Sequence, residues 1–327
     1  MRSAAIAQHQ HSLRFGMLSV VLPIGLVLTL SVATALGPVW IDPATVWNII
    51  LSHVPVVGDL LADKTWSAAE YAIIWHVRLP RVLLGALTGA GLALAGAGIQ
   101  ALVRNSLADP YILGISAGAS VGATLVLLSG AFGILGIYAL PVAAFAGALF
   151  ATVLVLSLAQ VGGRIDVMRL LLSGVALSIV LGAATNLIVL AAPSAEQLRG
   201  AMFWLMGSLV GAKWEQLPVV AVVVAAAYGF LGLQARSLNL LLMGEETATT
   251  LGLNLHLFRR LVVVVASLLA GVLVAYTGGI GFVGLMIPHL ARLFVGPDHR
   301  RLLPTSLLLG ALFLVWADVA ARLWFAP

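Results

Sequence analysis

Few residues in this chain have the chemistry to react, and those few do not converge. No cysteine occurs among the 327 residues, which excludes disulfides, thiolate metal sites and thiol nucleophiles. Serines and histidines are scattered, without a partner set at any spacing that nucleophilic or acid–base catalysis needs. No catalytic residue, metal-ligand set or cofactor is expected. The nearest approach to a phosphate loop is Gly58–Thr65, GDLLADKT. It lacks the second glycine before Lys64 that lets backbone amides wrap a phosphate, so any ATP chemistry belongs to another chain. Asp318 and His289 are the candidate buried ionisable groups, and both stand near the ends of apolar blocks. A proton- or ion-coupled carrier keeps such groups at membrane depth as its relay, so energy is expected from outside the membrane domain. Polar residues at mid-block are mild: Ser178, Thr185 and Asn186, with Gln100 near the end of its block. They suit either helix–helix hydrogen bonds or the wall of a pathway.

The elements that must position these residues are dictated by composition. Hydrophobic residues make up 61% of the chain and charged residues 9%, with a mean hydropathy of +1.11. A soluble chain of this length needs far more polar surface to cover its core. The apolar residues fall in blocks of about 18 to 27, the length a hydrocarbon core of roughly 30 Å demands. Strand-like alternation is absent, so helices with internal backbone hydrogen bonds are expected to fill them. The blocks are 17–36, 81–103, 112–130, 135–160, 168–192, 215–234, 260–277, 281–296 and 303–321. The fold class is therefore all-α: a polytopic transmembrane helix bundle of about nine helices. Residues 1–16 read as a cytoplasmic N-terminal tail and 17–327 as one transmembrane domain. Glycine runs such as Gly85, Gly89, Gly91, Gly96 and Gly98 let helices approach closely in lipid.

With the N-terminus in the cytoplasm, Arg2, Arg14, Arg104, Arg164, Arg169, Arg236, Arg259, Arg260, Arg292, Arg300 and Arg301 fall inside. Lys64, Arg78, Arg81, Arg199, Lys213 and Arg322 fall outside. This excess on one side follows the positive-inside rule. The scattered basic residues mark topology and not a nucleic-acid surface. Residues 37–80 are expected outside, with Trp40, Trp47, Trp66 and Trp75 suited to the interfacial belt. Residues 191–215 read as a short outer helix before the next span. The inner connection, about 236–258, breaks at Gly244 and Gly252 and reads as two short surface helices. Glu245 and Glu246 would favour the positive end of the second. A connection this structured, yet too small to be a domain, reads as a docking surface.

From about Trp75 to Arg322 the chain resembles the membrane-spanning permeases of the binding-protein-dependent ABC importers for iron–siderophores, haem and cobalamin. The motifs that carry the resemblance are RLPR (Arg78–Arg81), NSLADPYILGISAGAS (Asn105–Ser120) and FWLMGSL (Phe203–Leu209). They continue with LLLMGEETATTLGL (Leu240–Leu253), GGIGFVGLMIPHLARLFVGPDHR (Gly278–Arg300) and LVWADVAAR (Leu314–Arg322). The resemblance implies a homodimer of permeases in the bacterial inner membrane, two cytoplasmic ATP-binding subunits and a periplasmic substrate-binding protein. It implies ten helices arranged as an inverted repeat, with a tenth expected beyond Pro327.

It also implies site residues. Arg78, Arg81 and Arg322 match the outer arginines that receive acidic residues of the binding protein. Gly244, Glu245, Glu246, Ala248, Leu251 and Gly252 match the loop on which the ATPase docks. Asn105 and Leu107 match the cytoplasmic gate, where Ser106 stands in place of the family's usual proline and frees the backbone. Ser178, Thr185 and Asn186 are the pathway candidates. The implied function is import of an iron chelate, haem or a ferric siderophore, with cobalamin as the alternative. A stand-alone secondary transporter is disfavoured by the scarcity of mid-membrane charge.

Overall fold

The computed structural model describes residues 2–55, 66–130, 133–162 and 164–324, with the side chains of residues 2–10 left out. The phosphate-loop-like stretch Gly58–Thr65, including Lys64, lies outside the described residues. Among the described residues thirteen α-helices follow one another: α1 Arg2–Ala35, α2 Pro43–Leu51, α3 Ala68–Val103, α4 Ile115–Ser129, α5 Ala139–Ala159 and α6 Val167–Leu190. Then come α7 Ala195–Leu205, α8 Leu217–Leu233, α9 Ala235–Leu242, α10 Glu245–Thr250, α11 Leu255–Thr277, α12 Val283–Val295 and α13 His299–Trp324. A two-residue hairpin, β1 Gln160–Val161 with β2 Arg164–Ile165, joins α5 to α6.

Every expected apolar block is helical, but two are too short to span. Among the described residues seven segments are long and apolar enough to cross a membrane, lying in α1, α3, α5, α6, α8, α11 and α13. α4 has 15 residues and α12 has 13. At 1.5 Å per residue these reach about 22 and 20 Å, short of a hydrocarbon core of about 30 Å. The expected count of about nine spans therefore resolves into seven long helices and two short ones. Each short helix starts after irregular backbone. Gly114 precedes α4 with φ +74 and Phe282 precedes α12 with φ +67. The apolar sequence runs on through Tyr111–Leu113 and Ile280–Phe282, so hydropathy alone does not show the break.

A second difference lies before α3. Residues 68–80, expected in an outer connection, belong to the helix, which opens on a capping box between Ser67 and Glu70. A π-helical stretch, Ala72–Arg78, then carries the aromatic and basic residues. Polar residues at these positions hide a helix that hydropathy starts later. In α1, the helix runs without interruption from residue 2 through the first span.

The bundle is an inverted repeat. If α3, α4 and α5 are exchanged with α11, α12 and α13, the packing pattern maps onto itself. α4 packs on α5 as α12 packs on α13; α3 packs on α13 as α11 packs on α5; α3 packs on α12 as α11 packs on α4. The equivalent helices α3 and α11 run antiparallel across the pseudo-axis: Gly91 faces Leu269 and Leu273, and Gly98 faces Val262.

α3 is the buried axis of this arrangement, with Leu84, Leu92, Leu94, Ile99 and Leu102 all fully enclosed. Its neighbours come within backbone distance. A Cβ at Gly89 would strike the carbonyl of Gly310 on α13, and one at Gly96 would strike the carbonyl of Gly284 on α12. Gly118 and Gly147 do the same for α4 and α5. Without a hydrophobic driving force between helices in lipid, such close van der Waals contact is what holds them. Gly96→Ala should therefore lower the melting temperature of the detergent-solubilised protein, with a destabilisation of about 1–3 kcal/mol from overpacking. Gly98→Ala meets only ordinary contacts and should melt within a degree or two of the parent.

Candidate functional site

Two polar clusters lie at opposite ends of the bundle, and each is built from residues far apart in the chain. At one end, α3 enters beside the last turns of α1 and α13. Arg78 is 5% exposed. Its guanidinium donates to the carbonyls of Thr34 at 3.2 Å, Ala35 at 2.7 Å and Val39 at 2.5 Å. Thr34 and Ala35 close α1 and Val39 lies in the segment that follows it, so the cation also meets the negative end of the helix dipole. Gly37 leaves room for the guanidinium, since a Cβ at that position would enter it.

Arg81 and Arg322 share one carboxylate. Arg81 donates through Nε to both oxygens of Asp318 at 3.0 Å and through Nη2 to Oδ1 at 2.8 Å. Arg322, four residues after Asp318 on the same helix, pairs with Oδ2 at 3.1 Å and donates to the carbonyl of Ala33 at 3.1 Å. Three arginines against one carboxylate leave this end with local positive charge. The structure brings the three arginines singled out from the sequence together at one end of the bundle. Each is also committed inside the fold, Arg78 most deeply. Asp318, read from the sequence only as a candidate buried ionisable group, is their shared partner; its i,i+4 spacing to Arg322 was the available signal. Beside this cluster, Trp75 packs on Trp214 with ring centroids 4.6 Å apart and accepts the indole N–H of Trp214 at its carbonyl, while Trp40 is exposed.

At the other end, α9 and α10 form the two short helices expected between residues 236 and 258, broken at Gly244 with φ +104. Leu242, Met243, Glu246, Leu251 and Gly252 face outward, whereas Ala248 is fully buried and seats α10 on the bundle. Glu245 turns inward to Arg104 at 3.2 Å and Arg259 at 2.5 Å. α9 is anchored separately. Asn239 donates to Asp298 at 2.7 Å and accepts the backbone N–H of His299 at 2.9 Å. Burial raises the Asp298 carboxyl, but the Asn239 bond, the Arg300 N–H and the nearby Arg301 and Arg300 charges outweigh it and hold the carboxyl below its usual range.

The expected gate loop lies against this cluster. Asn105 accepts the N–H of Leu107 at its Oδ1, 2.9 Å away, which closes a tight turn. Leu107 is 63% exposed. Beneath the turn, the Gln100 amide donates to the carbonyls of Ala108, Gly284 and Leu285, and its oxygen accepts from Arg292. The pathway candidates on α6 are not equivalent. Thr185 is buried and donates to Leu181 of its own helix, Ser178 is half-buried near Gly114, and Asn186 is exposed. One face of α6 is bare and apolar, with Leu172, Ile179, Val180 and Leu187 exposed. Among the described residues no group of His, Cys, Asp or Glu could hold a metal ion.

The model of the FecCD transport family matches residues 25–327. The chain belongs to that family. Among its relatives, the cobalamin import system permease protein BtuC of Halobacterium salinarum is 46% identical over 250 residues. That match covers 76% of this chain and 66% of the relative, so this chain spans slightly under two thirds of it. The vitamin B12 import system permease protein BtuC of Klebsiella pneumoniae subsp. pneumoniae is 41% identical over 298 residues, 91% of this chain and 83% of the relative. Among solved structures, an inward-facing metal-chelate type ABC transporter aligns with a TM-score of 0.78 at 31% identity, covering 95% of this chain and 90% of that one. The PsaBC structure from Streptococcus pneumoniae, at 16% identity and a TM-score of 0.51, shares the fold alone.

The Arg78 cluster makes a stability prediction. Arg78→Ala removes the side-chain donor shared by the Thr34, Ala35 and Val39 carbonyls and should destabilise the protein by about 3 kcal/mol. Asp318→Asn, which removes the shared counter-charge of Arg81 and Arg322, should also lower the melting temperature. Thermal unfolding in detergent at matched lipid content checks both.

Proposed function

We propose that this chain is the membrane permease of an ATP-driven, binding-protein-dependent importer, and that its cargo is a cobalamin. The observation that carries the importer reading is the pair α9–α10. It is a rigid helical platform held to the bundle by Glu245, Asn239 and buried Ala248, with an exposed apolar and acidic face of Leu242, Met243, Glu246 and Leu251. A membrane domain whose sequence carries no phosphate-binding loop, and whose Asp318 is tied between Arg81 and Arg322, needs such a surface to receive force from elsewhere. In this reading the platform lies in the cytoplasm, as does the N-terminus, in the inner membrane of a bacterium. Two ATP-binding subunits dock there, centred on Gly244–Gly252.

At the opposite end, the periplasmic binding protein presents acidic residues to the Arg81–Asp318–Arg322 cluster, with Arg78 contributing field from below. Two permease copies meet across the bare face of α6, which supplies their shared pathway. ATP binding closes the ATPases and rocks the two permeases, so no covalent step is required in the membrane.

For cargo, the relatives favour the cobalamin alternative over the iron chelate expected from family base rates. Two permeases named for cobalamin or vitamin B12 align at 46% and 41% identity. Cobalamin is itself a metal chelate, so the metal-chelate type neighbour accords with either cargo. The test is uptake by proteoliposomes holding the permease, its co-purified ATPase and the binding protein. Cyanocobalamin should accumulate on addition of ATP, and haem and ferric siderophores should not. Uptake of an iron chelate in place of cobalamin would overturn the cargo, and ATP-independent uptake by the permease alone would overturn the importer. Glu246→Arg reverses an exposed charge on the platform and should weaken ATPase association about tenfold, or ~1.4 kcal/mol, with unchanged thermal stability.

A further inference from the structure

The gate loop is fastened at both ends, and one fastener comes from the docking helix. Arg104 ends α3 in the left-handed region, φ +52, immediately before Asn105. Its Nη2 donates to Oε1 of Glu245, the first residue of α10. The same oxygen also pairs with Arg259 on α11. At the far end of the loop, Gln100 donates to the carbonyl of Ala108 at 3.2 Å, to that of Gly284 at 3.3 Å and to that of Leu285 at 3.0 Å, and accepts from Arg292. Between the fasteners, the Leu107 side chain projects free of the bundle.

The two fasteners differ in environment. Gln100 is 2% exposed and holds three backbone carbonyls, so breaking it strands several buried polar groups. In the Glu245–Arg104 pair both side chains are partly exposed, at 39% and 47%. A pair of that kind adds little to stability and exchanges readily with water. It is nevertheless the one side-chain bond among the described residues that joins α10 to α3. Arg259, 10% exposed, keeps the Glu245 carboxylate in place whether or not Arg104 is bound.

We propose that the Glu245–Arg104 pair is the link by which movement of α10 reaches the gate loop, with the Gln100–Arg292 fastener as the fixed point about which the loop turns. Glu245 and Arg104 are positioning residues here: neither touches cargo, and each acts through Asn105 and Leu107. The proposal rests on the importer reading, because it needs an ATPase to move α10.

The absence of cysteine makes a direct test simple. Leu107→Cys puts one thiol on the gate loop. Its rate of maleimide labelling is read in the permease–ATPase complex in nanodiscs, with and without ATP. The reporter protein should show a several-fold change in labelling rate on adding ATP. Adding Arg104→Gln should abolish that change while ATPase co-purification and ATP hydrolysis persist, and Arg104→Lys, which keeps the charge, should restore it. An undiminished ATP response in the Arg104→Gln protein overturns the link, as does a reporter that never responds to ATP. Failure of the parent chain to co-purify with any ATPase instead overturns the importer reading, so the two failures are distinguishable.

Discussion

A helix buried on every side in a lipid-embedded bundle has to let its neighbours in at backbone distance, and in this protein that helix is α3. Glycine at positions 89 and 96 allows α13 and α12 to set their own glycine carbonyls against it. Once those two contacts are made, the entry of α3 at Arg78 and its exit at Arg104 are placed relative to the rest of the bundle. Both polar clusters depend on this. Arg81 meets Asp318 only because α13 lies alongside α3 at backbone separation, and Gln100 reaches Gly284 only because α12 does.

The charges are distributed as low dielectric requires. Ion pairs sit where helices end, and each buried cation is answered by a carboxylate or by several carbonyls. Arg78 is satisfied by the end of α1, Arg81 and Arg322 by one aspartate, Arg259 by Glu245. This economy has a mechanical consequence. The groups that neutralise charge also tie separate helices together, so the ion pairs cross-brace the bundle ends while the middle is held chiefly by packing, with a few neutral hydrogen bonds such as Trp316 to Thr29. The weakest of these braces is the Arg104–Glu245 pair, whose side chains are both partly exposed.

The two short helices give the inverted repeat its functional shape. α4 and α12 occupy equivalent places in the two halves, and each begins inside the bundle after irregular backbone. Irregular backbone at membrane depth is tolerated where protein surrounds it, and here Tyr111 donates its hydroxyl proton to the carbonyl of Ile280, joining the two irregular stretches. Paired broken helices of this kind mark the centre of transporters built from inverted repeats, which accords with membership of the FecCD transport family.

Much of this was legible in the amino-acid order. Hydropathy located every long helix, although α1 and α3 begin well before their apolar blocks, because exclusion from water acts on each block independently of its neighbours. The break at Gly244 and the two short helices beside it were legible for a similar reason: glycine at positive φ and a local amphipathic pattern are properties of a few consecutive residues. The family motifs pointed to the arginines, the docking loop and the gate loop as parts of a transporter. Only the tertiary structure decided what those residues hold. Arg104 and Glu245 are 141 positions apart and Arg81 and Asp318 are 237 apart, and no local pattern records which distant carboxylate an arginine will find. The short lengths of α4 and α12 were equally hidden, since Tyr111–Leu113 and Ile280–Phe282 are apolar whether helical or not. Hydropathy measures preference for lipid, whereas the end of a helix depends on backbone geometry and on which neighbour receives its free hydrogen-bonding groups.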